Sequence, residues 1–167
     1  MTSWGSVVRI YYSAKVFDAF LFFIPPSFNN LVFFYIIAVM FEVRVDTSFA
    51  AAHFLADYHG KCERLHGHNY HVYAHVRGFS LDAGGMLLDF SELKAALKKV
   101  CDSLDHRNLN DFSFFEQNPS AERIAVYIYN GIIELIPGLK KSNGEKAYLY
   151  AIDVFETDNN RARYLPD

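Results

Sequence analysis

The chain has 167 residues, 51% of them hydrophobic and 21% charged, with 16 Lys+Arg against 19 Asp+Glu for a formal net charge of -3. That balance excludes intrinsic disorder and the basic surplus of a nucleic-acid binder, and one domain of this length buries a core without disulfide staples. Two cysteines, Cys62 and Cys101, make no disulfide framework, so a reducing compartment, the cytoplasm, is the expected location.

Residues 1–40 carry only Arg9, Lys15 and Asp18, and no charge occurs from Ala19 to Phe41. Pro25-Pro26-Ser27 and Asn29-Asn30 divide that stretch into two apolar runs, each too short to cross a bilayer. No compact apolar run ends in a small-residue cleavage site. Residues 1–40 are therefore a hydrophobic extension with three open readings. They are an interfacial anchor, a segment packed on the domain or, the preferred reading, an upstream stretch translated because Met40 is the true start.

Regular patterns begin at Phe41 and define a second region, residues 41–167. Phe41 to Phe54 and Asn69 to Phe79 alternate as strands. Ser91 to Leu104 predicts a helix with Leu93, Leu97, Val100 and Leu104 on one face, capped by Asp89 or Ser91. A second helix starts near Pro119-Ser120-Ala121-Glu122 and ends before Pro137-Gly138. Ala147 to Glu156 predicts a third strand, Asp158-Asn159-Asn160 a turn, and Ala162 to Leu165 a short last strand. The order ββααββ predicts an α+β layer, an antiparallel four-stranded sheet covered on one face by two helices.

Chemistry concentrates in Cys62-x3-His66-Gly67-His68, with His53 upstream. On an extended chain His66 and His68 share one face about 7 Å apart, close enough for both imidazoles to reach one ion. Antiparallel pairing of the first two strands brings His53 opposite them. Three neutral imidazoles leave a Zn²⁺ ion its full charge and favour Lewis-acid work. The same residues with Cys62 also satisfy a closed four-ligand structural zinc site, a module without catalysis, and spacing does not choose between the two. His71 and His75 alternate to the other face and are assigned to surface or interface.

Asp105-His106 follows the first helix, where turn chemistry is the plain reading. Packed beside Cys62, His106 would instead draw the thiol proton and leave a thiolate base or nucleophile. Such a Cys-His-Asp set also admits a hydrolase, a chemistry with no need of three further histidines. Glu156, at the end of the third strand, is either a solvated carboxylate or an acceptor of two hydrogen bonds from an amino-substituted ring such as guanine or pterin. Cys101 sits in the first helix as an inert thiol near the core.

Together these pieces resemble the 6-pyruvoyltetrahydropterin synthase / 6-carboxytetrahydropterin synthase family. The resemblance rests on Phe49-Ala50-Ala51-Ala52-His53, Cys62-x3-His66-Gly67-His68-Asn69-Tyr70, Leu88-Asp89-Phe90-x2-Leu93-Lys94, Leu104-Asp105-His106-x-Asn108-Leu109-Asn110 and Glu156-Thr157, in that order. It implies the T-fold, a ββααββ unit that oligomerises into a β-barrel, usually as a homohexamer of two trimers with active sites between subunits. It implies a lyase acting on 7,8-dihydroneopterin triphosphate, with His53, His66 and His68 as Zn²⁺ ligands and Cys62 as catalytic base. Asp105 and His106 would relay protons, Glu156 would anchor the pterin, and Ser120 would place a hydroxyl near it. The short Cys62-x3-His66 spacing resembles the queuosine-route enzymes, which lose triphosphate and acetaldehyde and leave a 6-carboxylate. His68-Asn69-Tyr70 and Glu156-Thr157 are closer to the tetrahydrobiopterin enzyme, which eliminates triphosphate and leaves a pyruvoyl group. The queuosine route is preferred. A further branch, with Glu in place of the cysteine, fits less well because Cys62 is present, although Glu63 adjoins it.

Overall fold

A computed structural model describes residues 9–13, 38–141 and 147–166. The proline-interrupted stretch around Pro25-Pro26-Ser27 and Asn29-Asn30 lies outside the described residues. The elements run β1 (Arg9–Ser13), β2 (Ala38–His53), β3 (His66–Gly78), α1 (Phe90–Leu104), β4 (Arg107–Asn108), α2 (Ala121–Leu135), β5 (Ala147–Thr157) and β6 (Asn160–Tyr164). They form one mixed sheet in the order β1-β2-β3-β5-β6, with β4 parallel to β2 at Ala51 and Ala52. The α+β class and the four antiparallel strands expected from the sequence are present as β2, β3, β5 and β6. No helix among the described residues is long and apolar enough to cross a membrane.

Alternation in β2 and β3 divides the sheet into two faces. The inner face carries Val43, Val45, Phe49, Tyr70, Val72, Ala74 and Val76, opposed by Leu93, Leu97 and Leu104 of α1 and Ile124, Ile128 and Ile132 of α2. Each fully buried Leu or Ile of this layer contributes roughly 1.5–3 kcal/mol by leaving water. Gly131 permits the close approach of the helices: a Cβ there would lie 2.8 Å from Val100 Cγ2. Cys101 is buried in this layer, and burial pushes its thiol up to about 12, so it is inert as expected.

Caps and turns fix the helices in place. Asp89, rather than Ser91, caps α1, accepting the Ser91 N–H at 2.8 Å. Ser120 caps α2 through the Arg123 N–H, and Pro137 follows the last turn. In β5 the register shifts opposite His75/Val76, where Tyr150 is one residue in excess. This bulge lets Leu149, Ile152 and Val154 all reach the inner face.

The structure departs from the sequence expectations at the strand ends. β3 begins at His66 rather than Asn69, because pairing with β2 continues to His53↔His66. The last strand starts at Asn160, which pairs with Thr157 across a tighter turn than expected. β1 pairs with residues 38–42, and β4 is only two residues long, too short for any periodic signal. His75 is not a surface residue. On the outer face its ring bonds to Glu42 at 3.3 Å and Asp153 at 3.0 Å, and all three are buried.

Candidate active site

The ends of β2 and β3 place three imidazoles together. Ala51 pairs with His68 and His53 with His66, so all three histidines face the helix side at one end of the sheet. Their ligand atoms lie within 4.8 Å of one another, and the ring centroids of His53 and His66 are 4.6 Å apart. A tetrahedral ion with Zn–N bonds of 2.0–2.1 Å needs nitrogens about 3.4 Å apart, which small side-chain rotations supply.

Backbone carbonyls set the tautomers. His53 Nδ1 lies 2.9 Å from the Pro119 carbonyl and His66 Nδ1 lies 2.7 Å from the Arg64 carbonyl. A carbonyl only accepts, so both Nδ1 atoms carry hydrogen and both neutral rings present a bare Nε2 lone pair. His53 Nε2 is buried and has no hydrogen-bond partner. Burial holds the His53 imidazole below the ordinary histidine range, and the Pro119 carbonyl and Glu156 carboxylate only partly offset it. Converging lone pairs with an orphaned buried nitrogen fit a divalent cation.

Glu156 joins this group. Its Oε1 is 3.9 Å from His53 Nε2, and its side chain keeps 26% of its surface exposed, so a ligand can still reach it. Asp105 and His106 form a second centre at the edge of β2. Asp105 Oδ1 accepts the Ala50 N–H at 2.8 Å, and Oδ2 accepts from His106 Nδ1 at 2.8 Å. The Ala50 N–H, then His106, hold the Asp105 carboxyl below its usual range. His106 takes a left-handed φ of 54°. Its N–H is bonded to the Ala50 carbonyl at 2.6 Å, and its side chain projects into solvent. A hollow of about 460 Å³ opens beside it, lined by Ala50, Ala52, His68, Asn69, His106 and Asn108 among others.

The remaining candidates are placed by backbone links. Cys62, half-buried, sits in a short turn tied to the end of β2 by the Leu55 N–H on the Cys62 carbonyl at 2.9 Å. Among the described residues no hydrogen bond joins its thiol to Asp105 or His106. Ser120 stands next to Pro119 with its Oγ engaged as the α2 cap. Sequence reasoning missed the Pro119 carbonyl and two side chains near the site, Tyr70 and Asn110. Tyr70 is fully buried, its ring 5.5 Å from that of His68, and its hydroxyl has no partner. It lay within the quoted His68-Asn69-Tyr70 motif, at inner-face parity, which was the available signal.

A family model described as 6-pyruvoyl tetrahydropterin synthase matches residues 42–167. The 6-carboxy-5,6,7,8-tetrahydropterin synthase of Synechocystis is 37% identical over 132 residues, covering 75% of this chain and 94% of its own length. The human 6-pyruvoyl tetrahydrobiopterin synthase is 35% identical over 132 residues, covering 70% and 86%. Among solved structures, the Caenorhabditis elegans 6-pyruvoyl tetrahydropterin synthase superposes with a TM-score of 0.65 at 28% identity, covering 77% of this chain and 96% of that one. A Plasmodium vivax 6-pyruvoyltetrahydropterin synthase with a catalytic glutamate changed to cysteine superposes with a TM-score of 0.62 at 28% identity, covering 77% and 98%. The expected T-fold is therefore the fold of this chain. On these matches, the chain belongs to the 6-pyruvoyl tetrahydropterin synthase family of lyases.

Proposed function

We propose that this enzyme is a zinc-dependent 6-carboxy-5,6,7,8-tetrahydropterin synthase of the queuosine route. Its substrate is 7,8-dihydroneopterin triphosphate, which loses triphosphate and acetaldehyde. The observation that carries the reading is the triad of imidazole nitrogens within 4.8 Å, one of them buried and unpartnered. The choice of branch is supported by the short Cys62-x3-His66 spacing and by the 37% identity to the Synechocystis 6-carboxy enzyme.

In this reading His53, His66 and His68 hold the ion. A bound Zn²⁺ would supply Lewis acidity to the substrate's side-chain hydroxyls and to the adjoining C–H bonds. Glu156 accepts two hydrogen bonds from the pterin's amino-substituted edge, a charge-assisted pairing. Ser120 offers its hydroxyl hydrogen near the ring while its oxygen caps α2. Cys62 removes a proton as thiolate. His106, fixed by Asp105 through Nδ1, moves protons at Nε2.

Among the described residues no hydrogen bond joins the Cys62 thiol to the Asp105–His106 pair, and the His106 side chain is exposed at the edge of β2. That arrangement supports completion of the centre between subunits of a homo-oligomer, with the hexamer as the family's usual assembly. The cytoplasm is the proposed compartment.

The test is an assay of zinc-loaded protein with 7,8-dihydroneopterin triphosphate, scoring acetaldehyde and the pterin product. Acetaldehyde with a 6-carboxy product is the expected result. Triphosphate release with a pyruvoyl product and no acetaldehyde assigns the tetrahydrobiopterin reaction instead, the second reading supported by the human relative. No turnover with tightly held zinc returns the site to a structural module.

A further inference from the structure

We infer that Asn110 is the positioning residue of the His53 ligand, an inference that rests on the metal-binding reading above. β2 ends at His53, and its pairing with β3 ends there too, at His53↔His66. The next residue, Phe54, has both backbone groups pointing toward the loop after α1. Asn110 meets them with its side-chain amide. Its Oδ1 accepts the Phe54 N–H at 2.9 Å, and its Nδ2 donates to the Phe54 carbonyl at 2.9 Å. The carboxamide thus adds one rung to the ladder after the strand partner has run out. The second Nδ2 hydrogen goes to the Gln117 carbonyl at 2.9 Å.

Gln117 is two residues before Pro119, whose carbonyl holds His53 Nδ1. A closed circuit results: His53, Phe54, the Asn110 amide, Gln117, Pro119, and back to the His53 ring. Glu116 and Gln117 both have left-handed φ, 47° and 67°. Backbone bonds from the Asn118 N–H to the Phe115 carbonyl and from the Ser120 N–H to the Asn118 carbonyl brace this turn into α2, so the Asn110 amide is a side-chain link that ties it to the end of β2. Asn110 is only 7% exposed and uses both of its donors, a full set for a side chain with no other work in the core. Only an amide supplies the acceptor and two donors that this circuit needs.

The residue therefore acts on the metal through another group. Groups that orient a metal-bound imidazole typically account for about 10–100-fold in affinity. The test compares the full chain, Asn110→Ala and Ile132→Ala. The control, Ile132, is fully buried in α2 about 18 Å along the helix from Ser120. Co²⁺ affinity by chelator competition, the Co²⁺ visible spectrum, thermal stability, and the ring-nitrogen signals of ¹⁵N-histidine-labelled metal-free protein are measured for each.

Asn110→Ala is expected to weaken Co²⁺ binding about 10–100-fold, alter the spectrum, and lose the single Nδ1–H tautomer of His53. Ile132→Ala is expected to lose at least as much thermal stability with unchanged affinity and tautomer. Should Asn110→Ala not fold, Asn110→Asp keeps the volume and the acceptor for Phe54, and the same losses are expected in smaller degree. An Asn110 variant with wild-type affinity, spectrum and tautomer overturns the inference. Failure of the unaltered chain to bind Co²⁺ overturns the metal reading instead, and the metal-free tautomer signal then decides Asn110 by itself.

Discussion

Strands β2 and β3 carry two kinds of histidine, and the two faces of the sheet treat them oppositely. On the inner face His53 is buried against a carbonyl, and burial lowers its pKa. It stays neutral and keeps a bare nitrogen. On the outer face His75 is just as enclosed, yet both ring nitrogens meet carboxylates, Glu42 at 3.3 Å and Asp153 at 3.0 Å. Burial there also disfavours the charge, but the hydrogen bonds to Asp153 and Glu42 outweigh it and raise the pKa. Arg77 bonds Glu42 at 2.6 Å and Arg163 bonds Asp153 at 2.6 Å, so the carboxylates are held ionised. Similar burial ends in a lowered pKa in one place and a raised one in the other. What decides is whether the partner is a carbonyl or a carboxylate.

The sharpest test of that contrast removes one imidazole of the inner-face group. His66→Ala is expected to abolish both metal content and turnover, whereas His71→Ala, on the outer face, keeps both; metal analysis with the product assay reads the pair. Next in size, Cys62→Ala is expected to keep the metal and lose turnover, and loss of the metal as well would place the thiol among the ligands. His75→Leu leaves Glu42 and Asp153 facing each other in a buried site. It is expected to cost about 3–5 kcal/mol in chemical denaturation while Co²⁺ binding at the inner face persists.

A pH series sharpens the comparison further. His75 holds its proton to higher pH folded than unfolded, so its contribution is whole below 6.5 and fades as pH rises through the raised folded value. Glu42 and Asp153 are lowered, so theirs is present above their ordinary values of 4.5 and 3.8 and fades as pH falls. Around this network stand Arg77 on β3 and Arg161 and Arg163 on β6, charged throughout the range. Denaturation midpoints are expected to decline on both sides, and His75→Leu to remove the alkaline decline. The smallest effect belongs to Glu156→Ala, which should mainly raise the pterin KM; an unchanged KM removes its anchor role.

Much of the inner face was legible in the sequence because it is governed by periodicity. Alternation gave the strands, the spacing of Leu93, Leu97, Val100 and Leu104 gave α1, and antiparallel pairing brought His53 to His66 and His68. The outer network was not legible. Glu42 and Asp153 lie 33 and 78 residues from His75, and charged residues on an exposed-looking face give no hint of mutual burial. The supports of the site were equally hidden, since a proline carbonyl has no signature, and Asn110 reads as a turn residue until Phe54 and Gln117 are seen around it.

The bulge at Tyr150 gives β5 something like a reading frame. Upstream of it odd-numbered positions face the helices; downstream even-numbered ones do, which is why Ile152, Val154 and Glu156 share a side. Deleting that one residue would leave Leu149, Ala151 and Ile152 opposite Val76, His75 and Ala74 in regular alternation. Drawing Tyr150 into the ladder as a paired residue is what would shift the frame for the rest of the strand. Either Leu149 or Ile152 would turn outward, and a shift carried downstream would swing Glu156 away from His53 and bring Asp153 under the helices. The side on which the carboxylate beside the three histidines stands thus depends on a bulge six positions earlier, together with a second irregularity at Phe155/Thr157.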